Sequence, residues 1–295
     1  MSIVHYYYIF LLETGKIMDI DKIEQNNEES QSDNNSVSFK TWVLAFPVTA
    51  LCILISIALF ILVSFSTYFE NLKYPQYIRE YLAYMKYGAV LNGPAQQYLW
   101  EGQVWRLFIN IFQHGSLMHI VFNLCALAYF GNIVEKYVSS FKYLLFIIFC
   151  GICQSIICQL TIEKGAIGLS GVIYGLFGIL YVVRKNDPLI NSLITKELVK
   201  GMFAQLFIFM ILTYFDLLNI ANVGHVSGLI YGILFALSFY NKPNIIKKAS
   251  FVLLNILIIS GLYYIYKPSY DSEWQKWQSE TTKQLNQSSL SQEEP

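Results

Sequence analysis

Charge is scarce in this 295-residue chain. Only 14% of its residues are Asp, Glu, Lys or Arg, against roughly 25% in an ordinary soluble domain. A disordered protein carries many charges and few apolar groups. Here 55% of residues are hydrophobic, which excludes disorder of the whole chain and argues against a soluble globular enzyme. The 20 basic and 20 acidic residues cancel, so no net positive field exists to recruit nucleic acid. Cysteine is sparse too. Cys52, Cys125, Cys150, Cys153 and Cys158 all lie in apolar runs, where a thiol behaves as a small buried hydrophobe. Cys150 and Cys153 have C-x-x-C spacing, but no second pair and no polar setting accompany them, which argues against a zinc or redox site. No cofactor and no metal are expected.

Long uncharged runs are what the chain has instead. A membrane span needs about 20 mostly apolar residues. Seven candidates follow one another: Trp42–Thr67, Leu117–Val134, Tyr143–Ile162, Ser170–Val183, Met202–Leu218, Val226–Tyr240 and Phe251–Tyr266. The fourth and sixth are short and rich in glycine, as befits helices buried inside a bundle rather than facing lipid. The runs are continuous and do not alternate, so a β-barrel is excluded. The lipid bilayer is therefore the expected environment of an all-α, multi-pass protein.

The ends differ from the middle. Residues 1–41 read as a cytoplasmic, largely disordered tail rich in Asn, Ser, Gln and acids. Its first apolar stretch, Ile3–Leu12, lacks the leading positive charge and small-residue cleavage site of a signal peptide. Residues 267–295 form a polar C-terminal tail. Lys and Arg crowd the loops 136–142, 184–200 and 241–249, whereas 163–169 holds only Lys164 and 216–224 holds none. The basic loops belong on the cytoplasmic side. That puts the N-terminus inside, and a bacterial cytoplasmic membrane is the expected location.

Histidine is rare, at four residues, and three sit at the edges of spans. Ionisable groups inside a membrane are costly and point to function. The second span enters from outside past His114 and His119, the fourth at Ser170 and the sixth at His225. Asn123 lies one turn from His119 on the same helix face. Ser170, His225, His119 and Asn123 are therefore expected at one level near the outer surface. Gly171 and Gly175 in the fourth span, and Gly228 and Gly232 in the sixth, have the i, i+4 spacing that lets two helix backbones approach closely. Such an approach would bring a hydroxyl within reach of an imidazole, the arrangement of an activated nucleophile. His119, Asn123 and the Ser170 backbone N–H are the candidate donors to an oxyanion. The same spacing also suits a generic helix contact, and the same polar residues could serve as interhelical glue. Neither His-Glu-x-x-His nor the Gly-x-Ser-x-Gly elbow of α/β-hydrolases is present.

In order along the chain stand Trp105-Arg106, His119-Ile120-Val121-Phe122-Asn123, Gly131-x-x-x-Glu135, Gly168-Leu169-Ser170-Gly171-Val172-Ile173-Tyr174-Gly175 and Asn222-Val223-Gly224-His225-Val226-Ser227-Gly228. Together, between Gly88 and about Phe239, these resemble the rhomboid intramembrane serine proteases. The resemblance implies a six-transmembrane-helix bundle over 42–240 with a long first loop, 68–110. One additional C-terminal transmembrane helix would follow within 241–266. It implies a Ser170–His225 dyad, oxyanion stabilisation by His119 and Asn123, and Tyr174 stacked on His225. Trp105 and Arg106 would hold the first loop at the headgroups. Glu135 would bond to loop backbone at the inner end of the second span. Phe122 and Phe207 stand at positions similar to bulky residues between which substrate is thought to enter. Gly224 departs from the alanine the family often has there.

The expected activity is endoproteolysis of transmembrane protein substrates near the outer face. Two other readings compete. One is a non-proteolytic rhomboid-like protein that binds or escorts membrane clients. The other is a transporter passing protons between His225 and Glu135, although Glu135 is expected at the opposite face and the halves show no internal repeat.

Overall fold

The computed structural model describes residues 39–68, 106–162, 167–218, 220–240, 242–258 and 260. Every regular element among them is a helix. In chain order these are α1 (Phe39–Ala45), α2 (Pro47–Tyr68), α3 (Arg106–Ile109) with a 3-10 turn (Asn110–Phe112), α4 (Leu117–Val138), α5 (Ser140–Ile162), α6 (Ser170–Val183), α7 (Pro188–Leu193), α8 (Lys196–Tyr214) and α9 (Asn222–Phe239). A further helix, α10, covers 245–258. Five of them (α2, α4, α5, α8 and α9) are long and apolar enough to cross a membrane. Residues 1–38 of the expected N-terminal tail, most of the first loop, the later part of the expected seventh span and the C-terminal tail lie outside the described residues, while residues 39–41 begin α1.

Several ends differ from the hydropathy reading, each for a local reason. The first expected span, Trp42–Thr67, is two helices that part at Phe46. Pro47 follows, and its ring disfavours helical geometry in the residue before it while suiting the first position of a new helix. α4 runs on past Lys136 to Val138, since a lysine stem can lie along apolar surface with its ammonium in the interface. α8 starts at Lys196 rather than Met202 because Thr195 caps it, its hydroxyl accepting from the Leu198 N–H at 3.2 Å.

The start of α2 is also sealed by a distant residue. Pro47 has no N–H, and the first helical bond runs from Ala50 N to Phe46 O, which leaves the N–H groups of Val48 and Thr49 without intrahelical acceptors. The carboxylate of Glu135, near the end of α4, accepts from both at 2.9 Å and from the Thr49 hydroxyl at 2.8 Å. Glu135 is buried, and its negative charge sits at the positive end of the α2 dipole. Its partner is thus the first turn of α2 rather than a loop.

The middle of the bundle is α6. It has 14 residues, about 21 Å at 1.5 Å per residue, and Gly171–Leu180 are all buried. α9 packs along it more extensively than any other described pair of helices. The two backbones touch. A Cβ at Gly228 would collide with the Gly171 carbonyl, and one at Gly232 with the Gly175 carbonyl. At the far end, α10 closes on α9 through Asn255, whose Oδ1 accepts from the Tyr231 hydroxyl at 2.8 Å. Phe251 of α10 packs against Tyr231, Phe235 and Phe239.

Candidate active site

The α6–α9 contact determines what happens at its upper end. Ser170 is the first residue of α6 and His225 lies in the first turn of α9. Ser170 Oγ and His225 Nε2 are 2.8 Å apart, a hydrogen bond between residues 55 apart in sequence. The imidazole is buried, and its Nδ1 has no hydrogen-bond partner among the described residues. Among the described residues no carboxylate orients the ring. Aromatic contacts do so instead. Tyr174, one turn below Ser170, stacks on His225 with centroids 4.9 Å apart and planes at 28°. Phe209 of α8 adds a second ring at 5.9 Å and 43°. The Tyr174 hydroxyl donates to Gln205 Oε1 at 3.3 Å.

The turn leading into Ser170 requires glycine. Gly168 has φ +101°, a left-handed conformation that costs any side chain. Its N–H donates to the Asn110 carbonyl at 3.2 Å. A Cβ there would also lie 2.7 Å from His119 Nε2, so the His119 ring rests directly against this turn. The first N–H groups of α6, beginning with that of Ser170, precede the first internal helix bond, Ile173 N to Leu169 O, and form a set of backbone donors beside the hydroxyl.

His119 lies in the first turn of α4, capped by Ser116, whose hydroxyl accepts from the His119 N–H at 3.2 Å. Asn123 is buried and donates one amide hydrogen to the His119 carbonyl at 2.8 Å, which leaves a second for another acceptor. His114 stands edge-on to His119 with centroids 4.9 Å apart. Its Nδ1 is 3.0 Å from the Phe112 carbonyl. Burial pushes the His114 imidazole down to about 4, the charge of His119 works in the same direction, and the Phe112 carbonyl opposes both.

The remaining expected residues scatter. Phe122 and Phe207 are exposed, at 49% and 64%. Glu135 sits at the other end of α4, on α2. Trp105 lies outside the described residues, as does the side chain of Arg106. Among the described residues, no group of three His, Cys, Asp or Glu is placed to share a metal ion.

Sequence reasoning misses two neighbours of the dyad positions. Phe209 was hidden because the residues flanking it in α8, Phe207, Ile208, Met210 and Ile211, are all apolar; Phe207 is the more conspicuous candidate, yet two residues on a helix is more than half a turn. Gln154 of α5 is buried, and its carboxamide fills the space beside the Cα of Gly171. A lone amide within an apolar run was the available signal.

Residues 101–242 match a family described as the Rhomboid domain. The chain is 34% identical over 148 residues to the Rhomboid protease GlpG of Salmonella paratyphi A (strain ATCC 9150 / SARB42), and equally so to those of Salmonella newport (strain SL254) and Salmonella typhi. The matched stretch is 50% of this chain and 51% of each relative, so the chain spans about half the length of the curated relatives it matches.

Proposed function

We propose, from the match of residues 101–242 to the Rhomboid domain, that the protein is a rhomboid-type intramembrane serine endopeptidase with Ser170 as nucleophile and His225 as base. The observation that carries this reading is the 2.8 Å contact between Ser170 Oγ and His225 Nε2. In the reactive tautomer Nε2 is unprotonated and Nδ1 carries the hydrogen. The hydroxyl proton passes to Nε2 as Oγ attacks the scissile carbonyl. The oxyanion that forms is held by the first N–H groups of α6, with His119 and Asn123 as side-chain donors. One such donor is worth about 10²–10³ in rate elsewhere. His225 then gives its proton to the departing amine, and water releases the acyl group by the reverse route.

The substrates are membrane-spanning segments of other proteins. A helical carbonyl is already bonded to the N–H four residues on, and in lipid it keeps that bond. The segment must therefore unwind at the cut, which favours small or helix-weakening residues there. The loop charges put the N-terminus in the cytoplasm and the dyad near the outer face. The six-plus-one arrangement, with α10 beginning the seventh span, follows from the same order of spans. Phe122 and Phe207, both exposed, border the lateral path of a substrate helix.

The test is direct. Purified protein is incubated with a panel of transmembrane reporters and the products are mapped by mass. Cleavage within or beside the apolar stretch is expected, together with labelling of Ser170 by a fluorophosphonate. Ser170→Ala and His225→Ala should each abolish cleavage and leave the helical content intact. An escort protein would not label. Parental-rate cleavage by either variant would refute the dyad.

A further inference from the structure

We propose that Phe209 is a positioning residue for His225, fixed in place by a polar clasp between α8 and the first residue of α9. This rests on the reading of Ser170 and His225 as nucleophile and base. A catalytic imidazole has to be held in one orientation, and the usual means is a third group on its far nitrogen. Here Nδ1 has no partner among the described residues. The ring's orientation is left to its neighbours, Tyr174 and Phe209.

These two neighbours are supported very differently. Tyr174 is buried in α6. Phe209 belongs to α8, in which Leu206 alone is buried. Packing therefore does little to fix Phe209, and hydrogen bonds take over. Asn222 Nδ2 donates to the Phe209 carbonyl at 3.1 Å and to Thr213 Oγ1 at 2.8 Å. Thr213 Oγ1 itself donates to the Phe209 carbonyl at 2.8 Å. Asn222 opens α9 three residues before His225. The carbonyl of Phe209 is thus tied to the turn that carries the imidazole its ring touches.

Spacing along α8 shows a single working edge. Gln205, Phe209 and Thr213 are spaced i, i+4, i+8 and share one helix face. They engage Tyr174, His225 and Asn222 respectively. Docking of this edge completes the environment of the base. Without that docking His225 would lose one of its two ring contacts, and Tyr174 its hydroxyl partner.

The test uses the full-length protein in micelles, with a small fluorophosphonate that needs no lateral entry of a helix. Phe209→Leu should slow Ser170 labelling about tenfold or more, the scale expected for a sub-ångström to ångström displacement of a reacting group. It should lower kcat for a transmembrane reporter by a similar factor, with KM and the unfolding midpoint little changed. Phe209→Tyr should restore labelling to within about threefold, since the ring contact is kept. Asn222→Ala leaves the phenyl ring in place and should slow labelling in the same direction, which carries the test if Phe209→Leu fails to fold. Leu253→Met, exposed on α10, should label at the parental rate. Parental-rate labelling of Phe209→Leu or, should that variant not fold, of Asn222→Ala overturns the inference even if reporter cleavage falls, because the residue would then act on access. A parental protein that does not label overturns the nucleophile reading itself.

Discussion

A single methyl group at Gly228 tests the helix contact on which the site depends. The added Cβ would lie 2.7 Å from the Gly171 carbonyl carbon and collide with its oxygen. An unstrained carbon–carbon contact is about 3.5–4.0 Å, so the backbones must part by about 1 Å. Neither partner is a flexible side chain that could turn aside. Gly171 follows Ser170 directly, and Gly228 is one turn below His225. Most of the displacement is therefore delivered to the Ser170–His225 pair, lengthening 2.8 Å to about 3.8 Å, beyond hydrogen-bond range. A displacement of that size costs about 10²-fold in rate, and overpacking of this kind costs about 1–3 kcal/mol of stability. Gly228→Ala should cut reporter cleavage and fluorophosphonate labelling about a hundredfold while still unfolding cooperatively. Gly224→Ala is the matched comparison. Among the described residues its Cβ would meet only the Cys158 sulfur, at 3.1 Å, a side-chain atom that can yield, so it should keep activity within a few-fold. A Gly228→Ala variant with parental activity would show that the backbones are not in contact as described, and the argument from glycine spacing would fail with it.

Two further predictions concern the frame around the site. Glu135→Ala removes the acceptor of three buried donors on α2; at about 1–3 kcal/mol for each group left unsatisfied, a loss of several kcal/mol is expected in thermal or denaturant unfolding. Glu135→Gln should recover only part of it, since an amide offers one acceptor oxygen where the carboxylate offers two. For His114 the folded pKa of about 4 lies below the ordinary 6.5, so between those values the unfolded chain binds more protons. Stability supplied by this residue is full above about 6.5 and is lost as pH falls toward 4, up to about 3 kcal/mol. The unfolding midpoint of the parental protein should fall across that window more steeply than that of His114→Gln; parallel curves would contradict the burial argument.

Ser170 and His225 were legible in the sequence because polar groups stand out in uncharged runs and glycine spacing says which runs can touch. His119 was legible for the same reason, by its place at the entry to a span. Other features could not be read that way. The break at Phe46 is announced by Pro47, yet a hydropathy average over the run is blind to one ring. Glu135 was recognisable as a structural carboxylate, but its partner on α2 is 86 residues away, and no local pattern names it. Phe209 was obscured by composition. In α8 the residues around it, Phe207, Ile208, Met210 and Ile211, are all apolar and exposed, so hydrophobicity has no preferred side and the phase of the helix is set by Gln205, Thr213 and Asn222. Those three polar residues held the missing information, and it could be used only once α8 and α9 were known to be neighbours.

The shortness of α6 sets a depth. A hydrocarbon core is about 30 Å thick, and a helix of about 21 Å cannot reach both of its boundaries. If the lower end of α6 is anchored at one boundary, its serine stops about 9 Å beneath the other. On the proposed reading, the bond to be cut must then come down to that plane. Four residues added below Val183 would raise the serine by about 6 Å, past the level at which α9 holds His225. The 2.8 Å contact with His225 would be lost and cleavage with it, so the depth of the cut is set by α6 and α9 together.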